Sequence, residues 1–141
     1  MLTVGSIILS IWSGINFLLA FLILTVIILL KRNAPILVMV YKESEITKLD
    51  VRVISAVNTL AILYNSCAAA ISVLTLFIIW SSLINGQVWA FWVLLITIGF
   101  VQIFGFVAFA LIGNQRWQVN IPLSALYLIG IGLSGYSIFI R

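Results

Sequence analysis

Residues 53–115 read VISAVNTLAILYNSCAAAISVLTLFIIWSSLINGQVWAFWVLLITIGFVQIFGFVAFALIGNQ, with no Asp, Glu, Lys, Arg or His between Arg52 and Arg116. Water does not select for such a run. Hydrocarbon does, because a charge at the bilayer centre costs ~2.5–3.5 kcal/mol even on insertion scales. The stretches 1–30 and 117–140 are equally uncharged. The sequence therefore reads as an integral membrane protein. Its 65% hydrophobic and 7% charged residues stand far from the soluble norm of ~45–50% apolar and ~25% charged. A chain of 141 residues then has room for a single transmembrane domain, 1–141, and no aqueous one.

A spanning helix needs ~20 apolar residues, which places spans at about 5–30, 53–83, 88–112 and 121–140. The first stops at Lys31-Arg32, with Asn33, Ala34 and Pro35 expected to break it, since a proline disfavours helical geometry at the residue before it. Because the start lacks a positive n-region and its apolar run exceeds an h-region of ~7–15 residues, this first span is expected to be retained. The segment 36–41 is apolar but too short to cross. Between 42 and 52, Ile46, Leu49 and Val53 recur on one side, offset from Glu45, Lys48 and Arg52, which predicts an amphipathic turn or two capped by Ser44 or Asp50. Residues 81–87 form a neutral turn around Gly86. Gly113-Asn114 is expected to end the third span, and Pro122 lies in the first turn of the fourth. The expected fold class is all-α, a four-transmembrane-helix antiparallel bundle joined by short links.

Orientation follows from the basic residues. Lys31, Arg32, Lys42, Lys48 and Arg52 lie in the first loop and Arg116 in the third, whereas the middle turn has none and only Arg141 lies at the far terminus. The positive-inside rule then puts both larger loops in the cytoplasm and both termini outside. Trp80, Trp89 and Trp92 flank the outer turn, and Tyr41, Arg116 and Trp117 mark the inner boundary, as interface anchors do. The net charge of +4 gathers on no basic face suited to nucleic acid.

Depth along the helices singles out three amides. Asn16 lies 15 residues before Lys31, Asn65 13 after Arg52 and Gln102 14 before Arg116, so each sits ~20 Å from the inner charged edge. Gly130 marks that level on the fourth span, with Tyr127 and Ser134 a turn away on either side. Asn58, Asn65 and Ser72 recur every seven residues, a seam of coiled-coil spacing. Ser6, Ser10 and Gly14 on the first span, and Gly130 and Ser134 on the fourth, are small residues that let helices approach. Two readings stand side by side. The amides and hydroxyls are packing glue between helices, or they line a midplane pocket for a lipid-like or neutral small molecule. Cys67 reads as a small packing residue. The stretch 42–52 carries three acids against three bases and so reads as a salt-bridged helix start rather than a lipid-headgroup site.

Absences exclude several chemistries. With no histidine, histidine-ligated haem and metal sites are out. One cysteine provides no dithiol. No acid lies in any span to relay protons, and no nucleophile–base pair can be assembled. No catalytic residue, cofactor or metal is expected.

The elements Lys48-Leu49-Asp50, Val57-Asn58 and Leu63-Tyr64-Asn65 within 44–70, the run 86–92 (GQVWAFW) and the run 113–117 (GNQRW) resemble those of small four-span bacterial membrane proteins of uncharacterised function. The resemblance covers spans two to four. It implies the same architecture and placement in the bacterial inner membrane, and it carries over no catalytic or binding residue. The expected function is that of a non-enzymatic oligomer or accessory subunit of a membrane complex, with membrane lipids and a second copy or another membrane protein as partners. The alternative is the small-molecule binder.

Overall fold

A computed structural model describes residues 1–111 and 120–140, and among these the protein is all-helical, with no strand. The helices are α1 (Leu2–Ile28), α2 (Pro35–Val40), α3 (Glu43–Ile46), α4 (Val51–Ile78), α5 (Val88–Leu111) and α6 (Ile121–Phe139). A π-helical turn, Ile79–Leu83, prolongs α4, so that Val51–Leu83 is one helix of 33 residues. At 1.5 Å per residue this is ~50 Å, well beyond the ~30 Å hydrocarbon core. Four helices are long and apolar enough to cross a membrane: α1, α4 with its extension, α5 and α6. Leu18, Leu60, Phe77, Phe100 and Ile103 lie mostly exposed on them, an outward apolar surface that suits lipid rather than water.

The chain forms two compact units, 1–14 with 74–141, and 15–73. In the first, α6 runs antiparallel to the start of α1 and to α5. Gly5 of α1 meets Ser134, and Leu9 meets Gly130, while Trp12 packs on Tyr127 with ring centroids 5.8 Å apart. On the other side of α6, Ser124 reaches Gln102, Tyr127 reaches Leu95 and Phe139 reaches Phe91. The α1–α6 crossing is close because glycine permits it. A Cβ on Gly5 would strike Ser134 Oγ and come within 2.9 Å of the Gly130 carbonyl oxygen, and one on Gly130 would come within 2.8 Å of Leu9 Cγ. The core between the helices holds Leu9, Ile79, Leu83, Leu94, Ile98 and Tyr127. The π-helical turn closes into residues 84–87 through Gly86, whose φ of 74° is the left-handed conformation that glycine adopts without strain.

In the second unit, α1 ends earlier than the proline suggests. The backbone N–H groups of Leu29 and Leu30 both reach the Thr25 carbonyl, Arg32 N–H reaches that of Val26, and Lys31 reverses the chain at a φ of 49°. Pro35 does not break α1. It opens α2 at the first helical position, where its missing N–H is no loss, with Ala34 extended before it (φ −54°, ψ 138°). Leu37 and Ile46 are buried and anchor α2 and α3.

The expected caps resolve differently. Asp50 does cap α4, its carboxylate accepting the Arg52 N–H at 2.9 Å. Ser44 caps nothing and lies inside α3, which begins after Lys42 with the Glu45 carboxylate accepting the Lys42 N–H at 3.0 Å. The salt-bridged start is also corrected, since no ion pair forms there among the described residues. Both carboxylates serve backbone N–H groups at helix starts, where the helix dipole favours them. Pro122 falls in the first turn of α6. The expected Gly113-Asn114 helix end, and Arg116 and Trp117 as anchors, lie outside the described residues.

Candidate functional site

Burial along the long helices follows a seven-residue repeat. On α1 the buried positions include Ser6, Ser13, Ala20 and Ile27, and on α4 and its π-helical extension they include Asn65, Ser72 and Ile79. A helix that keeps one seam inside at this spacing presents a narrow contact stripe to its neighbours. Ser6, Ser13, Ala20, Asn65 and Ser72 on that stripe are small or polar, which brings backbones close where no water drives apolar side chains together.

The partners of the candidate polar groups are specific. Asn58 Oδ1 accepts the Ala34 backbone N–H at 2.8 Å. Asn65, 7% exposed, donates its amide N–H to the Ala61 carbonyl at 2.7 Å, and the Ser72 hydroxyl donates to that of Ala68 at 2.9 Å. Both bonds run back one turn on α4 itself, the usual recourse of a polar side chain inside a helix. Asn16 is half-buried on α1 and engaged in an interaction of its own. Asn16, Asn58, Asn65 and Ser72 all belong to the second unit.

Gln102, Tyr127 and Ser134 belong to the first unit. The Ser124 hydroxyl donates to Gln102 Oε1 at 2.7 Å, bridging α6 and α5. The Tyr127 hydroxyl donates to the Leu95 carbonyl at 3.0 Å, with that of Leu94 at 3.4 Å. Ser134 turns back to the Gly130 carbonyl at 2.9 Å. Gln102–Ser124 and Tyr127–Leu95 thus bond between α5 and α6, whereas the Asn65 amide bonds back to its own helix. The Ser6 hydroxyl is fully buried and makes no hydrogen bond among the described residues.

Three residues escaped the sequence reading. Ser124 lies where no spacing rule pointed, and its role depends on the rotation of α6 against α5. The close approach falls at Gly5 and not at Gly14, where a Cβ would meet nothing within 4 Å. Ala34 has no polar side chain to draw attention, and its backbone is what matters. Cys67, expected to pack, is exposed on α4.

Trp80, Trp89 and Trp92 stand half-exposed around the 84–87 turn. The Trp89 indole N–H donates to Gln87 Oε1 at 2.6 Å. Trp92 packs edge-on to Phe91 and lies against Phe139, with centroids 5.5 and 6.2 Å away. Trp80 lies on the π-helical turn. Comparison with protein-family models, curated proteins and solved structures returns no match for this chain.

Proposed function

We propose that the protein acts by packing, as a homo-oligomer or accessory subunit of a membrane complex, and performs no catalysis. The observation behind this reading is the state of the polar groups in its spans. Asn58, Asn65, Ser72, Gln102, Tyr127 and Ser134 each bond to a backbone or side-chain group of the chain itself. Groups committed in this way hold helices and segments in register, and the small residues beside them leave surfaces that backbones can approach. Placement in the bacterial inner membrane, with both termini outside, rests on the sequence resemblance and on the clustering of basic residues in the first loop.

Native mass spectrometry of the full-length protein released from mild detergent tests the reading. The expected result is a defined oligomer or a stoichiometric complex with another membrane protein. A strictly monomeric protein overturns it, and a monomer carrying a small-molecule adduct decides for the binder instead.

A further inference from the structure

Lys31, Arg32, Lys42, Lys48 and Arg52 are five of the seven basic residues of the chain. All five are exposed, and all lie in the second unit. In sequence, Glu43, Glu45 and Asp50 balance part of this charge. In space the described carboxylates turn elsewhere: Glu45 takes the Lys42 backbone N–H and Asp50 that of Arg52. Each then answers the partial positive charge of a helix start. Among the described residues no ion pair holds any of the five cations.

Placement gathers them. The Ala34–Asn58 bond ties the Lys31-Arg32 reversal to α4, six residues beyond Arg52 and thus ~9 Å from it along the axis. Arg32 lies only two residues from Ala34, within ~7 Å. Arg32 before α2 and Arg52 after it therefore lie near one another at one end of the unit, with Lys48 four residues before Arg52. Lys31 holds its place at a φ of 49°, a conformation that glycine or asparagine adopts more readily.

Between these cations lies α2, buried only at Leu37, with Ile36, Val38, Met39, Val40 and Tyr41 exposed. A short helix with an outward apolar face, flanked by exposed cations that no ion pair holds among the described residues, combines the two elements of an interfacial segment. The apolar side chains enter the acyl boundary while the cations remain at phosphate level.

We propose that residues 31–52 form a binding surface for the headgroups of anionic phospholipids. Arg32, Lys48 and Arg52 meet the phosphates, and α2 lies against the first carbons of the acyl chains. The apolar face of α2 selects a lipid over a soluble anion, because free phosphate brings nothing to cover it. The proposal does not depend on the assembly reading, since a monomer has the same segment.

The test uses the full-length chain in nanodiscs of equal parts phosphatidylcholine and phosphatidylglycerol, with retained lipids counted by native mass spectrometry. Phosphatidylglycerol is expected in clear excess over its bulk share. Raising the salt from about 0.1 M to about 1 M, which shortens the Debye length from ~10 to ~3 Å, should remove most of that excess. Titration of delipidated protein should show affinity for phosphatidylglycerol falling about fivefold for Arg32→Gln and again for Lys48→Gln, from ~1 kcal/mol per cation. Lys48→Arg should retain it. Retained lipids in bulk proportion at both salt concentrations overturn the proposal without reference to any variant. Displacement of the lipid by millimolar inorganic phosphate overturns it in favour of a soluble anion.

Discussion

The Asn58 carboxamide oxygen accepts the backbone N–H of Ala34 at 2.8 Å, across 24 positions of the chain. Ala34 has left α1 and precedes Pro35, so no helix supplies a carbonyl for its N–H. It is also fully buried, and an unpaired N–H away from water is costly. The side chain of α4 does what the backbone cannot, and it fixes the loop between α1 and α2 to α4.

Replacing Asn58 by leucine should therefore cost ~1–3 kcal/mol, the penalty of a buried donor left without its acceptor. Asn58→Asp keeps an oxygen in place and should recover part of that loss. Hydrogen exchange at the Ala34 amide checks the assignment directly. It should speed up in Asn58→Leu while amides in the middle of α5 stay protected, and unchanged exchange at Ala34 would remove the bond from the account.

The helical glycines divide by what surrounds them. Gly130→Ala places a Cβ 2.8 Å from Leu9 Cγ, and Gly5→Ala places one 2.9 Å from backbone atoms of Gly130 and Ser134. Leu9 is fully buried and backbone yields little, so each substitution should destabilise by ~1–3 kcal/mol. Gly132→Ala and Gly105→Ala meet nothing within 4 Å. They should be neutral or stabilise by up to ~1 kcal/mol, the helix preference of alanine over glycine. Unfolding midpoints of the four variants in one detergent make the comparison, and equal losses at all four would deny the close crossing of α1 and α6.

Gly86 tests backbone rather than space. A Cβ there would have only Leu2 nearby, at 3.8 Å, so any penalty comes from the φ of 74°. Gly86→Ala should cost ~1–2 kcal/mol, and Gly86→Asn distinctly less, because asparagine tolerates the left-handed region. Thermal unfolding followed by circular dichroism distinguishes the pair. Equal losses would mean that the turn does not hold this conformation.

Long apolar runs have few alternatives in hydrocarbon, which is why the four long helices are legible in the sequence. The finer features are not, for identifiable reasons. α1 ends at Ile28, ahead of a positive φ at Lys31, and Pro35 opens α2 instead of breaking α1, because proline is as good a helix start as a helix stop. The π-helical turn at Ile79–Leu83 carries no signal in Ile-Trp-Ser-Ser-Leu. Counting residues from the charged edge gives depth but not rotation about the helix axis. It finds Asn65 and Gln102 yet cannot say that one turns back to Ala61 and the other meets Ser124.

That distinction sets apart the two kinds of polar residue in the spans. Gln102 and Ser124 bond between helices, so they should be energetically coupled. In a double-mutant cycle, Gln102→Leu and Ser124→Ala should show a coupling of ~0.6 kcal/mol and at most ~1.7, the range of such bonds in membrane proteins. Tyr127→Phe should lose a similar small amount, because the Leu95 carbonyl lies within α5 and keeps its helical partner. Pairing Asn65→Ala with Gln102→Leu should give no coupling within the ~0.3–0.5 kcal/mol error of additivity, because the Asn65 bond ends on its own helix. Reversible unfolding in mixed micelles measures all three. Coupling between Asn65 and Gln102 as strong as that between Gln102 and Ser124 would show that the amides act as one linked group, and the separate bonding assigned to them would have to be given up.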